Sequence, residues 1–151
     1  MKKIFVSFFA VLFLGMAINC TSSQKQNNIN TIRNHQIQRE WMLVAFDNYT
    51  KQDLVKNNAK INLTQDIENG KIKGTAFMGC NSMFFTSEFK QNGDVEISDI
   101  GSTMKACAEM KLETDFSASF KNMKKYSVQG HFLTLSDDNG NQIKFVAADW
   151  D

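Results

Sequence analysis

Histidine is almost missing from this chain, with only His35 and His131 among 151 residues. The three cysteines and two histidines form no cluster at ligand spacing, which excludes a zinc-type centre. Asp137-Asp138-Asn139-Gly140 looks like the start of a calcium loop, but the remaining ligands of that pattern are absent and the stretch reads as a hairpin turn. No cofactor or metal is expected. Cys-x-x-Cys is also lacking, so the cysteines are not a dithiol redox motif. No Gly-x-Ser-x-Gly elbow occurs, and His131 directly follows a turn glycine. Glu88, Glu96, Asp99, Glu109 and Glu113 form no evident acid/base pair along the chain. The expectation is a protein that is not an enzyme. An excess of charge is missing too: 17 Lys and Arg stand against 16 Asp and Glu. Without a basic patch, nucleic acid is excluded as a partner.

A hydrophobic run long enough to span a bilayer, roughly 20 residues, does not occur. The longest apolar stretch, residues 4–18, follows Lys2 and Lys3 and has the length and flanks of a secretory signal. It ends at Ala17-Ile18-Asn19-Cys20, which resembles the lipobox of bacterial lipoproteins. Lipoboxes usually carry Leu where Ala17 stands and a small residue where Asn19 stands. The resemblance implies removal of residues 1–19, lipidation of Cys20, and attachment to a membrane of the cell envelope, expected to be the outer one. Residues 20–38 are polar, with too little apolar surface to offset ordering entropy, and read as a flexible tether.

From residue 39 the pattern changes to short alternating runs. Residues 39–46 read as a first strand, with Trp41, Leu43 and Ala45 on one side and Met42, Val44 and Phe46 on the other. A polar loop over 47–59 follows, with a short helical turn around 53–56. Strands are expected at 60–66, 71–78, 82–89 and 94–100, punctuated by Asn69-Gly70 and Asn92-Gly93. One helix is predicted over 111–124, where Leu112, Phe116, Phe120 and Met123 form an apolar stripe for packing on the sheet. Glu113 and Asp115 sit in its first turn, and Lys121, Lys124 and Lys125 near its end, where each complements the helix dipole. Strands at 126–128, 132–135 and 142–147 close the domain. Eight strands with short connections and one helix predict a mainly β, α+β domain over 39–151, built as a small antiparallel barrel or strongly curled sheet.

The order of these landmarks resembles the META domain, the HslJ-like family of bacterial envelope proteins. Trp41-x-Leu43 opens the domain, and Lys73-Gly74 and Gly79-Cys80-Asn81 precede Phe84, Phe85 and Phe89. Ser102-Thr103-Met104-Lys105-Ala106-Cys107 resembles the family's Thr–Met–Cys segment. Glu113 and Phe116 begin the helix, and Tyr126, Gly130, Leu133-x-Leu135 and Ile143-x-Phe145 close the match. Bulky Met83-Phe84-Phe85 and Ala108 stand where many relatives carry small residues and Pro. The resemblance implies a lipocalin-like antiparallel barrel with a helix, an envelope location and, for some members, induction by heat or other stress.

With Cys20 carrying lipid, Cys80 and Cys107 are left as an even pair in an oxidising compartment. A bridge between them would contribute about 3.5 kcal/mol through loop-closure entropy, and two buried free thiols are the alternative. The Met and Phe residues of 74–110 read as barrel filling. The function expected is a non-catalytic, membrane-anchored, monomeric envelope lipoprotein that supports the envelope under stress through a protein or polymer partner. The alternative is a small apolar-ligand binder using the barrel interior.

Overall fold

The structure is a computed structural model that describes residues 35–150. Residues 1–19, Cys20 and most of the tether lie outside the described residues.

Alternating sequence produces an antiparallel sheet of nine strands, all but one lying on a single path. In chain order these are β1 (Glu40–Phe46), β2 (Lys60–Asn62), β3 (Ile67–Glu68), β4 (Lys71–Phe77), β5 (Ser82–Phe89), β6 (Val95–Ser102), β7 (Lys125–Gln129), β8 (Phe132–Ser136) and β9 (Gln142–Ala147). Spatially the path runs β6-β5-β4-β2-β1-β9-β8-β7, with β3 paired to β4 beside it. The two ends of the path meet at one point. There Val95 N donates to Lys124 O at 2.8 Å and Tyr126 N to Gly93 O at 2.8 Å, while Lys125 pairs with Asp94. The result is a strongly curled half-barrel. The expected strand at 60–66 ends at Asn62, where Asn62 Oδ1 captures Thr64 N at 2.9 Å and turns the chain out of the ladder.

Helix α2 (Lys111–Phe120) lies on the concave side of that sheet. Its stripe of Leu112, Phe116 and Phe120 is buried, with Met123 just beyond it. Phe116 stacks on Phe120 with ring centroids 4.9 Å apart and meets Phe46 and Phe145 edge-on at 5.8 and 6.5 Å. Phe120 meets Phe85 at 4.8 Å. The helix thus reaches both walls of the half-barrel, and each large apolar side chain so buried contributes roughly 1.5–3 kcal/mol. It stops short of the predicted end at 124. Lys124 N is recruited by Ser136 O at 2.9 Å, and Lys125 enters β7, so neither serves the helix terminus. No basic residue lies in the last turn.

Two further differences from the sequence reading have local causes. Phe46 is buried together with Trp41 and Leu43, although strict alternation puts it on the opposite side. Leu43 pairs with Phe145 while Ala45 pairs with Lys144, so Val44 is an extra residue that shifts the phase by one. Residues 51–56 form a full helix, α1 (Lys51–Lys56), closed by a reciprocal cap. Thr50 Oγ1 accepts from Asp53 N at 3.2 Å, and Asp53 Oδ2 accepts from Thr50 N at 2.9 Å. The polar loop therefore buries Leu54.

The domain also begins earlier than residue 39. Ile37 is fully buried, and Trp41 Nε1 donates to its carbonyl at 2.9 Å. The last residues of the expected tether are thus part of the core.

Candidate functional site

The corner between β4 and β5 is built around one asparagine. Gly79 turns the chain at φ +108, a conformation that L side chains rarely adopt. A Cβ there would also stand 2.2 Å from Asn57 Oδ1, just past the end of α1. The corner and α1 therefore interlock only because residue 79 is glycine. Gly74 has a different reason: a Cβ there would stand 2.4 Å from the Phe85 ring on the neighbouring strand.

Beyond Gly79 the chain buries Cys80 and Asn81. The Asn81 side chain is saturated. Its Oδ1 accepts from Thr103 Oγ1 at 2.8 Å and from Lys105 N at 2.7 Å. Its Nδ2 donates to Glu113 Oε1 at 2.9 Å, and its backbone N donates to Glu113 Oε2 at 2.6 Å. A buried amide beside a buried carboxylate is tolerable only with partners of this kind. The four bonds join three pieces of chain: the corner, the first turn of α2, and the segment that connects β6 to α2.

That connecting segment, residues 102–111, is exposed along its whole length. It is a strap across the end of the half-barrel, tied down by Asn81 near its start and by the Cys80–Cys107 disulfide further on. The two Cα atoms stand 6.1 Å apart. Met104, beside the first tie, is 99% exposed, and Met110, past the second, is 36% exposed. The reading of the Met and Phe residues of 74–110 as barrel filling is therefore corrected at three positions. Met104 and Met110 lie on the strap outside the core. Phe84, 54% exposed, covers Gly101 on the outer face of the sheet. Trp41, Gly74, Gly79, Cys80, Asn81, Thr103, Met104 and Cys107 are otherwise sorted by position: the corner set and the strap set converge, whereas Trp41 sits in the core at the foot of β1.

Sequence reasoning missed the role of Glu113, treating it as a dipole-complementing acid in the first turn of the helix. It is buried, and it anchors the corner. Its position at the start of the helix was visible in the sequence; its partner, 32 residues away, was not. Tyr49 was missed as well. Its hydroxyl donates to Asp115 Oδ2 at 2.7 Å, and Lys111 pairs with the same carboxylate. Burial, then the Asp115 bond, push the Tyr49 hydroxyl above its ordinary pKa. The Lys111 and Tyr49 hydrogen bonds hold the Asp115 carboxyl below the usual carboxylate range.

Two open clefts flank the corner. One, of about 490 Å³, runs between the edge of β6 and α2 past Ile100, Ser102, Glu113 and Ser117. The other, of about 540 Å³, lies between α1 and the end of the strap, lined by Tyr49, Asp53, Lys56, Glu109 and Lys111. Among the described residues no group of three or more His, Cys, Asp or Glu side chains could hold a metal. Asp137 is engaged in its own turn, accepting from Asn139 N and Asn141 N at 2.9 Å each.

Among solved structures, the chain is similar to an NMR structure of a protein from Burkholderia xenovorans. The TM-score is 0.56 at 17% identity, covering 75% of this chain and 83% of that one, a likeness of fold alone. A crystal structure of a DUF4847 family protein from Bacteroides vulgatus aligns with a TM-score of 0.48 at 13% identity, over 76% of this chain and 95% of that one. No curated protein matches the sequence. The family model of the META domain matches residues 34–150, which takes in Ile37 and the Asn81 corner with its strap. The chain belongs to the META domain family.

Proposed function

We propose that this protein is a non-catalytic envelope lipoprotein that contacts a protein or polymer partner through the strap and supports the envelope under heat or other stress. On this reading Cys20 carries the lipid, residues 21–34 supply reach from the outer membrane, and a monomeric META domain does the contacting. The observation that carries it is the strap. Ten consecutive exposed residues are held by a saturated asparagine and a disulfide, and they present an apolar side chain to water. A rigid apolar projection loses little conformational entropy on association, which favours contact.

The alternative, an apolar ligand within the half-barrel, has to contend with Phe116 and Phe120, which fill the concave side. A saturable rise in melting temperature with an apolar probe would favour it over the strap.

The deciding experiment places a photocrosslinker at position 104 in cells, with position 73 on the outer face of β4 as control. A discrete adduct at 104 and none at 73 is the expected result. Equal labelling at both positions removes the strap from the proposal. Membrane fractionation of a Cys20→Ser variant tests the anchor separately: the variant is expected in the soluble fraction, and retention in membranes refutes lipidation.

A further inference from the structure

The strap carries a second consequence, in the chemistry of its thioether. Of the methionines in the described residues, Met78, Met83 and Met123 are each no more than 2% exposed, Met42 is half-buried, Met110 is 36% exposed and Met104 is 99% exposed. Met104 cannot fold inward, because Thr103 and Lys105 on either side of it are both bonded to Asn81 Oδ1. In the folded domain its sulfur therefore stands in water, whereas the sulfurs of the core methionines meet water only when the domain opens.

We propose that Met104 is a site of reversible oxidation by peroxide-class oxidants. The sulfur lone pair attacks one peroxide oxygen, an S–O bond forms, the O–O bond breaks, and the departing hydroxide takes a proton to leave as water. Sulfur is oxidised by two electrons and the peroxide is reduced by two. A methionine sulfoxide reductase working with a dithiol reverses the step: the sulfoxide oxygen leaves as water and the dithiol becomes a disulfide. Position decides the consequence. A sulfoxide at Met78, Met83 or Met123 puts a polar group into the core, whereas at Met104 it touches nothing the fold depends on. The domain stays intact, the modified side chain stays accessible to a reductase, and the only change is an apolar tip made polar. Where the strap docks a partner, a clause that rests on the function proposed above, that change weakens docking.

The test treats the intact chain with hydrogen peroxide and follows each methionine by quantitative peptide mass spectrometry, in buffer and in denaturing urea. Met104 is expected to oxidise at about the same rate in both, while Met78, Met83 and Met123 are slowed at least roughly tenfold by folding and Met110 falls between. The chain oxidised at Met104 alone is expected to keep its unfolding midpoint and to be restored by methionine sulfoxide reductases of both stereospecificities with dithiothreitol. Protection of Met104 by folding to the level of Met110, or resistance of its sulfoxide to the reductases in the folded chain, overturns the proposal. Photocrosslinking from position 106, an exposed strap position that leaves Met104 in place, before and after oxidation separates the two ideas. Loss of the adduct supports the docking clause, and an unchanged adduct refutes that clause while leaving the oxidation result standing.

Discussion

Removing the Asn81 side chain tests the logic of the corner most directly. Asn81→Ala deletes the bonds to Thr103 Oγ1 at 2.8 Å, Lys105 N at 2.7 Å and Glu113 Oε1 at 2.9 Å. A neutral hydrogen bond contributes about 0.5–1.5 kcal/mol net and one to a charged group about 1.5–3. Two of the first kind and one of the second give a loss of about 2.5–6 kcal/mol. Urea unfolding followed by tryptophan fluorescence reads this as a lower midpoint at unchanged slope, Trp41 being buried in the core. Asn81→Asp sharpens the test. It preserves shape but sets a second carboxylate against Glu113 in place of a donor. At neutral pH it is expected to be at least as damaging as Asn81→Ala. It should then regain stability relative to wild type as pH falls through the carboxylate range, because one proton restores the lost donor. An Asn81→Ala effect below about 1 kcal/mol, or an Asn81→Asp variant whose deficit is independent of pH, would refute the reasoning.

Thiol titration of the denatured, unreduced chain is expected to find neither Cys80 nor Cys107 reactive, and Cys80→Ser with Cys107→Ser to lower stability by about 3.5 kcal/mol if loop entropy dominates. Gly79→Ala is expected to cost at least about 1–3 kcal/mol in unfolding assays, from strain at φ +108 and the close approach of Asn57, and Asn57→Ala should relieve only the second part. Phe116→Ala, which empties the centre of the aromatic cluster, is expected to cost about 3–5 kcal/mol in the same assay. For Asp115, whose folded pKa is depressed by Lys111 and Tyr49, the contribution is present above the unfolded value and lost as pH falls through the folded one. A pH series on Asp115→Asn should accordingly lack that part of the acid limb, which wild type retains.

Much of the fold could be read from the chain because its signals are local. Strand β5 matches the predicted residues 82–89 and β9 the predicted residues 142–147, since alternation repeats within a few residues. Asn69-Gly70 adopts φ of 53 and 81, as a tight hairpin turn requires. The stripe of α2 is buried as its spacing demands, and Ile72 and Ala76 share the inner face of β4. Less of the site was legible. The Gly79-Cys80-Asn81 and Thr103–Cys107 landmarks were visible as residues, and a Cys80–Cys107 bridge between them was expected, but the Asn81 bonds to Thr103, Lys105 and Glu113 were not.

Sequence by itself determined the class of fold and the order of its main elements, because hydrophobic period and turn chemistry act between near neighbours. Tertiary structure alone decided which polar groups meet and which apolar ones face water. Asn81 and Glu113 are 32 residues apart, and nothing in either residue's neighbourhood announces the other. Val44 became a bulge through pairing with a strand about a hundred residues away in the chain, a shift no alternation pattern contains. Met104 is as apolar as Met78, yet one lies in water and the other in the core. Hydrophobicity sets a preference for burial, and only the packed chain, tied down at Asn81, fixes which methionine is denied it.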